Sequence, residues 1–115
     1  PPAAPGLDER APELLAGAVG HGRRALAALD AGRPDEAAAR VARMRAVLAD
    51  LDAGLDRRGG PVGRHLAAIY GYLTRRLSAP EPDRGAILEV VTDIQTLAES
   101  WAGLTERRAA ELTAA

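Results

Sequence analysis

The sequence predicts an all-α fold, an antiparallel four-helix bundle behind a flexible, proline-rich N-terminal leader. Three observations predict it. Apolar residues recur at alternating spacings of three and four along four separate stretches, the period of a helix with one buried face. Proline and glycine clusters divide those stretches with short connections, which force neighbouring helices to run in opposite directions. The chain is 47% hydrophobic but only 3% aromatic, with no Phe. Its core must therefore be built of Leu, Val, Ile and Ala, which suits close-packed helices better than a β-sandwich. At 115 residues there is material for one continuous core and not for two.

Three prolines and a glycine within Pro1-Pro2-Ala3-Ala4-Pro5-Gly6 oppose helix formation, so residues 1–9 are expected to be a flexible leader. Residues 10–115 are expected to form the single bundle domain. The first helix is expected from Asp8 or Arg10 to Ala31, with Leu15, Val19, Gly22, Leu26 and Leu29 on one stripe. It carries Gly17, Gly20 and Gly22, each costing about 1 kcal/mol against Ala in a helix interior. Either this helix is marginal alone or a glycine admits a neighbouring helix at close range.

Gly32-Arg33-Pro34-Asp35 supplies a stop and a restart, because Gly ends helices and Pro suits the first turn of the next. The second helix, about Pro34 to Leu55, carries Ala37, Val41, Met44, Leu48, Leu51 and Leu55 at alternating spacings of four and three, a bundle seam. Arg57-Arg58-Gly59-Gly60-Pro61 breaks the pattern. The third helix then carries Leu66, Ile69, Leu73 and Leu77 to about Ala79, and Pro80-Glu81-Pro82 ends it. Asp83 is the expected N-cap of the fourth helix. There Ile87, Val90, Ile94, Leu97, Trp101 and Leu104 continue the stripe to about Ala110, and Trp101 is expected in the core.

The charge is nearly balanced, with 15 Arg against 16 acidic residues spread along the chain and a formal net charge of -1, so no basic field is expected to draw nucleic acid or anionic membrane. No apolar run reaches the roughly 20 residues of a membrane span, and no signal peptide is expected. Without cysteine there is no disulfide, thiolate nucleophile or Cys-ligated zinc, and a reducing cytoplasm is the natural setting.

The sequence offers little to catalysis. The two histidines, His21 and His65, have no carboxylate three residues away and no second His one turn along, so neither a metal nor another cofactor is expected. Ser78 and Ser100 lie outside any nucleophile elbow. The run Gly59-Gly60-Pro61-Val62-Gly63 lacks the Lys and Ser/Thr of a phosphate loop. Glu89 and Asp93, four apart, read as a solvated face. An enzyme is not expected and binding is the leading class. A histidine phosphotransfer module using His21, or a simple dimerising bundle, is the alternative.

A sharper reading comes from the third helix. Its segment Ile69-Tyr70-Gly71-Tyr72-Leu73-Thr74-Arg75-Arg76-Leu77 resembles the pattern of the flagellar export chaperone family FliS: an aliphatic residue, Tyr-x-Tyr, then Arg-Arg-Leu. Ile87-Leu88-Glu89-Val90-Val91 and Leu97-Ala98-Glu99-Ser100-Trp101 resemble the family's closing stretch, and Ala31-Gly32-Arg33-Pro34-Asp35-Glu36-Ala37-Ala38 is similar to the opening of its second helix. The order of these pieces agrees over roughly residues 12 to 105. The departures are the proline-rich leader and Leu14-Leu15-Ala16-Gly17-Ala18, which keeps the family's glycine there and loses its tyrosine.

The resemblance implies a cytoplasmic chaperone that holds the C-terminal segment of flagellin unpolymerised before export, with components of the export apparatus as further partners. A helix-in-groove mode would cover the client's apolar face. Helices two and three are the expected groove, because their apolar residues exceed what one seam needs. Val47, Leu51 and Leu55 would form one wall and Leu66, Ile69, Tyr70 and Leu73 the other.

Overall fold

The computed structural model describes residues 9–55 and 60–114; residues 1–8, which hold most of the expected leader, and residues 56–59 lie outside them. The described residues form a four-helix bundle: α1 Ala11–Asp30, α2 Pro34–Ala53, α3 Pro61–Arg76 and α4 Arg84–Ala114. None of these helices is long and apolar enough to cross a membrane.

Each helix begins and ends for a local reason. Helices α1, α2 and α3 carry proline in their first two positions, where the missing N–H costs nothing. Helix α1 ends in a Schellman motif: Gly32 at φ 74° lets its N–H reach Leu29 O at 3.0 Å while Arg33 N–H reaches Ala28 O at 2.8 Å. Gly60, at φ 96°, turns the chain into α3 in a conformation that favours glycine. Asp83 caps α4 as expected, its Oδ1 accepting the N–H of Gly85 at 3.0 Å and of Ala86 at 3.3 Å.

Contacts across the bundle give the directions. Arg10 before α1 pairs with Asp50 near the end of α2 at 3.2 Å, and Arg84 at the start of α4 pairs with Asp30 at the end of α1 at 3.1 Å. The first turn of α3 lies beside Trp101 of α4. Neighbours therefore run antiparallel, in the order α1, α2, α3, α4 around the bundle.

Leu15, Met44, Leu48, Leu51, Leu73, Ile87, Val90 and Ile94 are fully buried, and no polar or charged side chain among the described residues is buried. On α2, and on α4 as far as Ile94, this dry aliphatic core follows the expected stripes. On α1 the buried face is instead Ala11, Leu15, Ala18, Gly22, Ala25 and Ala28, and the expected Val19, Leu26 and Leu29 are only partly buried. Small alanines face the seams there, because α1 packs closely against α2 and α4. Gly22 settles the question of the α1 glycines. A side chain there would collide with Val91 Cγ2 on α4 and stand 3.0 Å from Met44 Cε on α2, whereas open space surrounds the corresponding positions of Gly17 and Gly20. Gly22 is the close-approach residue, and α1 wedges between α2 and α4.

The structure differs from the sequence reading at the helix ends and on one face. Helix α2 stops at Ala53, α3 at Arg76, and α4 continues to Ala114. Ile69, Leu97 and Trp101, expected inside, are only partly buried against the core. The cause is the geometry of α3, which at 16 residues spans about 24 Å against about 46 Å for the 31 residues of α4. Helix α3 packs on α2 and only lightly on α4, so the α3–α4 seam stands open.

Candidate functional site

The open seam is an apolar groove. Its floor and α3 wall are Leu66, Ile69 and Leu73; α4 supplies Leu97; and Tyr72, His65, Asp93, Thr96 and Ser100 form the margin around a concavity of about 550 Å³. A second concavity of about 360 Å³ continues it toward Pro61, Val62 and Trp101. The groove follows the spacing of α3, where Val62, Leu66, Ile69 and Leu73 sit four, three and four residues apart on one stripe. Val62 and Tyr72, at its two ends, are 52% and 44% exposed. Along α3 the groove runs about three turns, or roughly 16 Å.

One end is fixed by a polar clamp made of the residues that marked the third helix in the sequence. Tyr72 donates its hydroxyl hydrogen to Glu89 Oε2, and Arg76 donates from Nε and a terminal nitrogen to Glu89 Oε1 at 3.2 and 3.1 Å. The bond from Tyr72, with the Arg76 bonds after it, holds the Glu89 carboxyl below the usual carboxylate range, as donors to the charged form must. The same bond raises the Tyr72 phenol. The clamp ties the last turns of α3 to the second turn of α4 and leaves the rest of their seam apart. Tyr70, two residues from Tyr72, faces the opposite way and is 2% exposed in the core.

Of the seven residues expected to line a groove, Leu66, Ile69 and Leu73 lie together on the α3–α4 groove. Leu51 and Tyr70 are interior, Leu55 is buried, and Val47 is half-buried against the core on α2, away from this groove. The sequence reading missed Val62, Tyr72, Leu97 and Trp101 as groove residues. The α3 stripe was visible in the spacing, but nothing in it revealed which neighbouring helix stands off.

His21 lies on α1 facing α2, where Arg40 donates to its Nδ1 at 3.2 Å. Burial, then the charges of Arg40, Arg43 and Arg24, lowers its proton affinity below the ordinary 6.5. A depressed histidine favours the fold where the ring is neutral. Its contribution is complete above about pH 6.5 and is lost as pH falls through the lower folded-state value, because the unfolded chain then binds more protons. Thermal melts should therefore show stability falling from pH 7 to pH 5, with a shallower fall in His21→Gln. Equal slopes in the two proteins would refute the assignment.

A family model described as Flagellar protein FliS matches residues 12–108. A comparison with curated proteins finds no match.

Proposed function

We propose, because the chain belongs to the flagellar protein FliS family, a family of flagellar chaperones, that it binds the C-terminal segment of flagellin and holds it unpolymerised until export. The observation that carries this reading is the open apolar groove between α3 and α4. Val62, Leu66, Ile69, Leu73, Leu97 and Trp101 present an apolar strip with anchors about one turn apart along α3, the period that takes the apolar face of one amphipathic helix. Such a client segment associates with its own copies through that face, and occupying the face blocks the association. The work is binding rather than catalysis, and the complex would then pass to components of the export apparatus in the cytoplasm.

Titration calorimetry of the full chain against a peptide from the C-terminus of the cognate flagellin tests the reading. A saturable one-to-one complex with a negative heat-capacity change, the mark of apolar burial, is expected. A stable self-complex with no affinity for the peptide would replace this reading with that of a dimerising bundle.

A further inference from the structure

The opposite side of the bundle carries a cluster that the groove does not use. His21 and Arg24 lie one turn apart on α1, and Arg40 and Arg43 one turn apart on α2. The Arg40 guanidinium is 3.2 Å from the His21 ring. Arg24 and Arg43 are exposed and Arg40 is half-buried. Arg10, Arg33, Arg76 and Arg84 each hold a carboxylate. Among the described residues, Arg24, Arg40 and Arg43 hold none. Beside them is an alanine-floored concavity of about 450 Å³ lined by Ala27, Ala28 and Ala31 and rimmed by Arg24, Arg33, Glu36 and Arg40; Glu36 is already paired with Arg33 at 3.5 Å. The preceding turn of α1 carries Gly17 and Gly20, with open space where side chains would stand.

We propose that this α1–α2 face, built on Arg24, Arg40 and Arg43 around His21, is a second docking site that takes an acidic segment of a partner protein. Three guanidinium groups gathered around one histidine, with Glu36 already held by Arg33 as the carboxylate on that rim, repel one another, and a ligand bearing two or three carboxylates relieves that repulsion. Guanidinium forks match carboxylates in paired hydrogen bonds. A short acidic peptide suits the face better than nucleic acid, because the charge is local to three guanidinium groups on a protein of net charge -1, and a polyanion needs a longer basic track. The α1–α2 seam lies across the bundle from the α3–α4 seam, so this face and the apolar groove can be occupied together. The inference rests on the charge geometry and stands whether or not the groove takes flagellin.

The test is fluorescence polarisation with a labelled peptide of alternating Asp and Glu, added to the full chain at low salt. The wild type is expected to bind, and added salt to weaken binding. The double variant Arg40→Glu/Arg43→Glu is expected to lose about tenfold or more in affinity, while Arg24→Gln loses less. Circular dichroism identical to the wild type keeps the comparison to folded proteins. Calorimetry with the flagellin peptide should be unchanged in the double variant wherever the wild type binds it. Absence of wild-type binding to the acidic peptide, or undiminished binding by the double variant, overturns the proposal. Stronger competition by inorganic phosphate or by an RNA homopolymer than by unlabelled acidic peptide would also overturn it.

Discussion

Ile69→Asp is expected to weaken binding of the flagellin C-terminal peptide by about 2 kcal/mol or more, roughly thirtyfold. Ile69 sits in the middle of the groove wall, between Leu66 and Leu73. A carboxylate there would be covered by an apolar client and left without a partner, a burial that costs several kcal/mol or forces the client away. Ile69 is half-buried against the core, so some stability goes with it, and a thermal melt must show the variant folded at the assay temperature. Val62→Asp supplies the cleaner companion. Its side chain is 52% exposed at the groove's far end, so the fold should tolerate the charge while the client does not. Val47→Asp on α2 lies outside this groove and should leave affinity within a few tenths of a kcal/mol. Tyr70→Ala is a poor test of the same surface, because Tyr70 is 2% exposed and its truncation would cost about 3–5 kcal/mol of stability as a core cavity. Should Val47→Asp abolish binding and both groove variants retain it, the client sits on the α2–α3 side.

The four helices were legible because each carries a stripe and a punctuation mark that agree. Pro34 and Gly32 act on the same connection, and Asp83 stands where the cap must be. What the sequence could not carry was the distance between stripes. A run such as Ile94, Leu97 and Trp101 has one period whether its partner helix covers all of it or only part. The structure buries Ile94 and leaves Leu97 and Trp101 along an open seam, because α3 is short and tied to α4 at one end by the Tyr72–Glu89–Arg76 clamp.

The tyrosines show the same limit at one residue. Positions two apart on a helix point about 200° apart, so one of Tyr70 and Tyr72 had to face inward and the other outward. Tyr70, four residues after Leu66 and three before Leu73, continues the buried stripe of α3, which leaves Tyr72 outward. What the spacing could not give is the partner of Tyr72, Glu89 on α4. Glu89 itself, read from spacing as part of a solvated face with Asp93, is the acceptor that joins two helices, and Asp93 borders the groove. The arginine cluster was invisible for a related reason. Arg24 and Arg40 are 16 positions apart in the chain, and only the antiparallel packing of α1 on α2 brings them to one concavity.

Gly22→Val should lower the stability of the bundle by about 2 kcal/mol or more, a fall in Tm of roughly 10 °C for a domain of this size. A Cβ at this position already collides with Val91 Cγ2 and stands 3.0 Å from Met44 Cε. Met44 can yield, being flexible, but Val91 is stiff at χ1 and 5% exposed in the core. Two further methyl groups would have to displace α2 or α4. The gain of up to about 1 kcal/mol from removing a helix-interior glycine offsets only part of that strain. Gly17→Ala and Gly20→Ala have the opposite sign, since each gains the propensity into open space and should raise stability by about 1 kcal/mol. Chemical denaturation of the three variants measures the contrast. Adding Val91→Ala to Gly22→Val should return part of the loss as a coupling energy between contacting residues. If Gly22→Val is as stable as the wild type, or gains as Gly17→Ala does, then α1 does not lie wedged against α2 and α4 at this turn.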